Sequence, residues 1–199
     1  GHLGSLLDHT GPVAASEAYA ARVFGAHRSY SGVVGTSGSN RSIMQACMKD
    51  GDLVVLDRNC HKSIEQGLML TGALPIYLLP TRNRYGIIGP IPPSEMEPAT
   101  LRKKAKASPL TRAAADQKPV YAVVTNCTYD GLCYDAVKVQ ELLARSCDRI
   151  HFDEAWYGFA RFSWLYRPRT AMGARARLRE DFADPAYLAR YLAQEKKFG

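Results

Sequence analysis

A layered α/β fold built on a mostly parallel sheet is the class this sequence predicts, and three observations predict it. Helical and strand-like periods alternate along the chain in the order of βαβ units. The 199 residues are 46% hydrophobic, enough for one sizeable core. Polar and reactive residue types gather just after the strand-like runs, where open α/β sheets form their ligand crevices.

Each element follows from its local pattern. Ser16 to Phe24 reads as a helix closed by Gly25, Tyr30 to Val34 as a short buried strand, and Ser39 to Met48 as a second helix. Leu53 to Asp57 is strand, Ser63 to Leu70 helix, and Ala73 to Leu79 strand. Ser94 to Ala107 is expected to be one helix entered through Pro92-Pro93. Val120 to Thr125 is strand, Ala136 to Ala144 helix, and Arg149 to Asp153 strand. The Gly- and Pro-containing stretch Thr81 to Pro93 and the polar stretch Ser108 to Pro119 read as loops, not domain boundaries. No internal repeat or low-complexity tract occurs.

Charge and cysteine usage narrow the function classes. The formal charge is +7, but residues 163–199 hold eight Lys/Arg against four Asp/Glu, so little excess remains elsewhere. The cluster Arg102-Lys103-Lys104-Ala105-Lys106 has no aromatic platform interleaved with it and reads as a solvated helix face, which argues against nucleic acid as a partner. No stretch approaches the roughly 18 apolar residues of a membrane span. The five cysteines are odd in number and lack a Cys-x-x-Cys pair, which argues against a disulfide framework or a zinc ribbon and for a reducing cytoplasm; no metal site is expected. Gly1-His2-Leu3-Gly4 shows neither an initiator methionine nor a signal-peptide pattern, so the sequence is expected to begin part-way through a longer one.

Four strand ends carry chemistry. Gly35-Thr36-Ser37-Gly38-Ser39-Asn40 is a small, hydroxyl-bearing turn entering a helix, an anion cradle of backbone N–H groups and hydroxyls without the spacing of a nucleotide fingerprint. Asp57-Arg58-Asn59-Cys60-His61-Lys62-Ser63 sets an imidazole at a strand-to-helix turn, where it can cover a flat ring or move a proton. Asn126 to Gly131 brings polar turn formers to the same edge. Ile150-His151-Phe152-Asp153-Glu154-Ala155-Trp156 delivers a carboxylate at a strand end. Each of these alone is also what an ordinary capped helix or tight turn looks like.

One ligand would use all four ends: a planar heteroaromatic with a phosphate arm and a basic ring nitrogen, which describes pyridoxal phosphate. A carboxylate beside the pyridine nitrogen keeps it protonated, and the ring then accepts the electron pair released when a bond to a substrate α-carbon breaks. In this reading Asp153 supplies the charge, Ser37 and its neighbours hold the phosphate, and His61 stacks on the ring.

Six blocks carry a family resemblance: Leu6 to Pro12, Gly35 to Arg41, Asp57 to Ser63, Arg82 to Pro90, Thr125 to Gly131, and His151 to Tyr157. From about Gly4 to Phe162 the chain resembles the large domain of the pyridoxal-phosphate-dependent ornithine/lysine/arginine decarboxylases, in particular the biodegradative arginine decarboxylases. Glu154, where the lysine and ornithine relatives typically have serine, tilts the resemblance toward arginine. The resemblance implies a truncated aspartate-aminotransferase-like (fold type I) large domain, with a parallel sheet flanked by helices. It implies a cytoplasmic, homo-oligomeric lyase of acid resistance that converts arginine to agmatine and carbon dioxide. Carried over residue by residue, it gives catalytic roles to His61, Asp153 and Trp156. It places the cofactor on Thr36, Ser37, Gly38, His61, Asp153, Ala155 and Trp156.

One departure stands out. The family's Schiff-base lysine follows the aspartate strand in a Ser-x-His-Lys context, and only Lys196 and Lys197 follow Trp156 here, in an end that reads as an exposed helix terminus. Lys62 follows a histidine but belongs to the ring-stacking block. The chain is therefore expected to be inactive by itself. Residues 1–162 read as a partial cofactor-binding domain and 163–199 as a divergent tail of frameshift or truncation origin that packs poorly, with an amphipathic helix starting near Asp184-Pro185. Two other readings stay open: a pyridoxal-phosphate aminotransferase of the same fold, which should lack the Tyr85 to Gly89 and Asp57 to Ser63 blocks, and a non-catalytic binding fragment.

Overall fold

The computed structural model describes residues 2–195. Four strands, β1 (Leu53–Asp57), β2 (Leu74–Leu78), β3 (Tyr121–Thr125) and β4 (Ile150–Asp153), form one parallel sheet in the order β2-β1-β3-β4. Register aligns Leu56 with Val123 and Thr125 with Asp153, so the polar residues closing β1, β3 and β4 reach the same edge. The central strands β1 and β3 are buried along their whole length, as parallel strands covered on both faces must be.

Alternation along the strands divides the core into two layers. Val54, Leu56, Tyr121 and Val123 pack with Met44 of helix α2 (Gly35–Cys47), with Met48 just past its end, and with Ile64 of helix α3 (Lys62–Thr71). Leu53, Val55, Ala122 and Val124 face the other way, onto Leu101 and Ala105 of α4 (Pro98–Ala107) and Val139 and Leu143 of α5 (Ala136–Leu143). Each fully buried Leu or Val contributes about 1.5–3 kcal/mol of transfer free energy. Helix α3 is closed at both ends: the His61 side chain accepts the Ser63 N–H, and Gly72 takes the left-handed cap at φ 70°.

Helix α1 (Gly11–Phe24) lies ahead of this unit. Its Glu17 is buried and accepts hydrogen bonds from the Ser31 N–H at 2.7 Å and His9 Nδ1 at 2.8 Å. The Ser31 bond is the main influence holding the Glu17 carboxyl below its ordinary value; burial opposes it and His9 assists it.

Two expectations about elements are corrected. Tyr30 to Val34 is not a strand: it has no ladder partner, Ser31 donates to a side chain, and Tyr30, Val33 and Val34 are exposed. Its apolar composition supplied the signal, but no neighbouring backbone supplies the hydrogen bonds a strand needs. Ser94 to Ala107 is not one helix either. A short 3-10 turn, Pro93–Met96, is separated from α4 by Glu97 in extended conformation (ψ 137°), because the residue before a proline avoids the helical region and Pro98 starts the helix afresh.

Beyond β4 the chain runs through short turns into α6 (Ala171–Asp181) and α7 (Pro185–Glu195). Thr170 caps α6 by accepting the Gly173 N–H, and Ala174 is buried against Ala136, Val137 and Phe152. Along α7 Leu188 and Leu192 are largely exposed, with Tyr191 Oη bonded to Gln140 Nε2 at 3.0 Å. The start of this tail is thus packed onto the α5 layer, and α7 is attached mainly at its surface. Lys196 and Lys197 lie outside the described residues. Among the described residues no helix is long and apolar enough to cross a membrane.

Candidate functional site

The carboxyl ends of β3 and β4, the start of α2 and the turn before α3 enclose a cavity of about 360 Å³. Thr36, Ser37, His61, Asp153, Ala155 and Trp156, all singled out in the sequence, line it together with Asn40, Thr125, Cys127 and Tyr129. Gly38 does not line it. It is buried beneath the first turn of α2, where an added Cβ would sit 1.8 Å from Val34 Cγ2. No lysine is among the lining residues, and Lys62 is exposed at the start of α3.

Asp153, only 5% exposed, is fixed at both oxygens: Oδ1 accepts the Ala155 N–H at 3.2 Å and Oδ2 accepts Asn40 Nδ2 at 2.9 Å. Asn40 Nδ2 also donates to Ser63 Oγ at 3.0 Å, and Ser63 Oγ lies 2.9 Å from His61 Nδ1. A continuous hydrogen-bonded path therefore joins the carboxylate of one strand end to the imidazole of another. Helix packing makes it possible. Asn40 and Met44 are one turn apart on α2, Ser63 and Gly67 one turn apart on α3, and a Cβ at Gly67 would meet Met44 Sδ at 2.5 Å.

The anion side is open. Gly35, Thr36 and Ser37 are the first turn of α2 itself, not a loop ahead of it, and the cap residue Val34 contributes no side-chain hydrogen bond. Backbone donors and the positive helix end thus face the cavity with the Thr36 and Ser37 hydroxyls beside them. Thr125 Oγ1, also in the lining, is buried beside the Asp57 carboxyl.

The opposite lip is aromatic. Trp156 stands edge-on to Tyr129, with centroids 5.8 Å apart, and both rings are well exposed. Cys127 and Cys133 face each other across a tight hairpin with sulfurs 3.8 Å apart, and burial pushes the Cys127 thiol up to about 11. Glu154 does not enter the cavity lining. Its Oε1 accepts Asn126 Nδ2 at 2.5 Å and the Ala171 N–H at 2.8 Å, tying α6 to the strand end, while burial raises its carboxyl above the ordinary value. Behind the lining, Asp57 closes β1 fully buried, accepting the Asn59 N–H at 2.8 Å, and burial raises its carboxyl as well.

Asn40, Ser63 and Thr125 are the residues that reading for function did not assign a role. Asn40 sits in a stretch where a polar residue reads as a helix start. The available signal was its place one turn before Met44, on the face of α2 that has to be buried.

A family model for the major domain of Orn/Lys/Arg decarboxylases matches residues 1–186. The chain is 70% identical over 170 residues to the biodegradative arginine decarboxylase of Escherichia coli K12, which covers 85% of the chain and 22% of that protein. It is 50% identical over 171 residues to a lysine decarboxylase of Pseudomonas aeruginosa, covering 86% of the chain and 23% of that protein. The solved structure of lysine decarboxylase A from Pseudomonas aeruginosa superposes with a TM-score of 0.83 at 49% identity, over 87% of this chain and 23% of that one. The Escherichia coli constitutive lysine decarboxylase superposes with a TM-score of 0.78 at 42% identity, over 86% and 23%. The chain thus spans less than a quarter of the length of these relatives. Matched over far more than half of its residues, with its parallel sheet and flanking helices superposing on solved members, the chain belongs to the Orn/Lys/Arg decarboxylase family, within the major domain.

Proposed function

We propose that the crevice binds pyridoxal phosphate, and that this chain carries the cofactor-binding part of a cytoplasmic, homo-oligomeric decarboxylase that turns arginine into agmatine and carbon dioxide. The observation that carries the reading is that one cavity is lined by a fixed carboxylate, an imidazole and an uncapped helix start. The residues fit the group. The first turn of α2 with Thr36 and Ser37 suits the phosphate, Asp153 the pyridine nitrogen and His61 the ring face. Gly38 serves by letting α2 start close against Val34, not by contact.

When bound, pyridoxal phosphate supplies an electron sink for the pair released as the α-carboxylate leaves. The chain's own residues act around it. Asp153, unable to swing because both oxygens are bonded, holds a proton on the ring nitrogen. Trp156 and Tyr129 form the lip that screens the ring from water. Arginine is favoured as substrate because identity to the arginine decarboxylase, 70%, exceeds the 50% and 44% to lysine decarboxylases. Glu154 itself stands outside the lining and ties α6 to the strand end.

With no lysine in the lining, the chain alone is expected to bind the cofactor without turnover. Titration with pyridoxal phosphate, followed by absorbance and by carbon dioxide release from arginine, tests this. Saturable binding without release is the expected result. Borohydride trapping of the cofactor on one specific lysine of this chain would overturn the inactive reading, and absence of saturable binding would overturn the cofactor assignment.

A further inference from the structure

We infer that Asn40 is the positioning residue of this site: one buried amide that fixes Asp153 with one hydrogen and, through Ser63, the tautomer of His61 with the other. The directions follow from donor and acceptor counts. A carboxylate oxygen accepts, so the group 2.9 Å from Asp153 Oδ2 is the Asn40 amide nitrogen, and the second hydrogen of that nitrogen goes to Ser63 Oγ at 3.0 Å. Ser63 Oγ, accepting from Asn40, has its own hydrogen left for His61 Nδ1 at 2.9 Å. The Ser63 backbone N–H also points at Nδ1, at 3.2 Å. Nδ1 therefore receives two donors and is the acceptor nitrogen, which leaves the neutral imidazole's proton on Nε2.

The path is built into the core, not laid over it. Asn40 is 2% exposed and Ser63 0%, and the next rung of the same helix contact is the packing of Met44 on Gly67. Water is kept from competing for these bonds, so each hydrogen has one destination. The consequence for chemistry is a matched pair. The carboxylate is held for the ring nitrogen, and the imidazole next to the same cavity is held with an N–H as its outward group and cannot turn over without breaking two bonds.

This inference rests on reading the crevice as a pyridoxal-phosphate site, but its primary test does not use the cofactor. The 199-residue chain is labelled with ¹⁵N-histidine, and the His61 resonances are assigned among the five histidines by their loss in His61→Gln. Without cofactor, His61 is expected as the Nε2–H tautomer with a hydrogen-bonded Nδ1. In Ser63→Ala the Nδ1 resonance moves toward that of an unbonded imine nitrogen, because one of its two donors is gone. In Asn40→Leu the Ser63 hydroxyl is no longer oriented by the amide, so the same resonance moves in the same direction by a smaller amount, and the pyridoxal-phosphate concentration for half-saturation rises about tenfold, as expected when a carboxylate loses a charge-assisted bond. Ser63→Ala, which keeps the Asn40–Asp153 bond, raises it less than about threefold.

A residue that only filled space between α2 and α3 would neither move the resonance nor separate the two variants. The Nδ1–H tautomer in the unaltered chain, or an unmoved Nδ1 resonance in both variants, overturns the inference. If the resonances behave as expected and pyridoxal phosphate never saturates, the cofactor assignment fails and the relay stands. Should Asn40→Leu lose its folded amide spectrum, Asn40→Ala is read in its place, with the same two shifts expected.

Discussion

On one side of the crevice the polar groups are buried: Asn40, Ser63 and Asp153 are 2%, 0% and 5% exposed. On the other side the apolar groups are exposed: Trp156 and Tyr129 of the lining are 63% and 68% accessible, and Phe159, Phe162 and Trp164, further along the segment after β4, between 60% and 82%. The first wall spends core packing to hold a few hydrogen bonds in one arrangement. The second presents aromatic surface with little holding it, and the contacts it has are edge-on ring pairs such as Phe24–Phe162 and Tyr157–Phe159. Fixed chemistry and adaptable surface have been assigned to different elements, so the two walls should respond differently to the same kind of substitution.

The sharpest way to break the contrast is in the core beneath the first wall. Leu56→Ala removes a fully buried side chain between β1 and the α2–α3 layer and is expected to cost about 2–5 kcal/mol, read as a fall in urea midpoint. Gly67→Ala comes next. Met44 is itself fully buried and has no space to yield into, so overpacking of about 1–3 kcal/mol should accompany a separation of Asn40 from Ser63, visible as altered His61 resonances.

Acid sharpens the comparison on the approach to α2. Because the folded state holds the Glu17 carboxyl below its ordinary 4.5, its contribution is fully present above that value and is lost as pH falls through the lower folded one. The thermal midpoint should fall more steeply below about pH 4.5 in the unaltered chain than in Glu17→Gln, which has no carboxyl to protonate. The smallest effect belongs to the exposed aromatic segment after β4: Trp164→Ser, at an 82% exposed position, should change stability by less than about 0.5 kcal/mol. A large loss there would mean that the second wall is packed more firmly than its exposure indicates.

The same division explains what could be read from the sequence. Leu53–Asp57 was legible residue for residue because an unbroken apolar run bounded by turn formers admits only a buried strand in this context. That His61 and Asp153 meet at one cavity was legible because the strand ends of such sheets converge on one edge. Tyr30 to Val34 was misread because composition speaks for burial but not for a partner strand, and the break before Pro98 because the helix was read through a second proline after Pro92-Pro93. Asn40 and Ser63 stayed silent for a deeper reason. Their role exists only between two helices, and nothing in either helix alone distinguishes a buried relay from a polar cap.

The interlock of α2 and α3 also bears on how this surface varies over time. Positions 40, 44, 63 and 67 occupy two successive rungs of a single contact, amide on hydroxyl and thioether on glycine. No one of them can change size or polarity without altering what its neighbours tolerate. Natural variation is therefore expected to treat the four as one heritable unit, exchanged together or kept together.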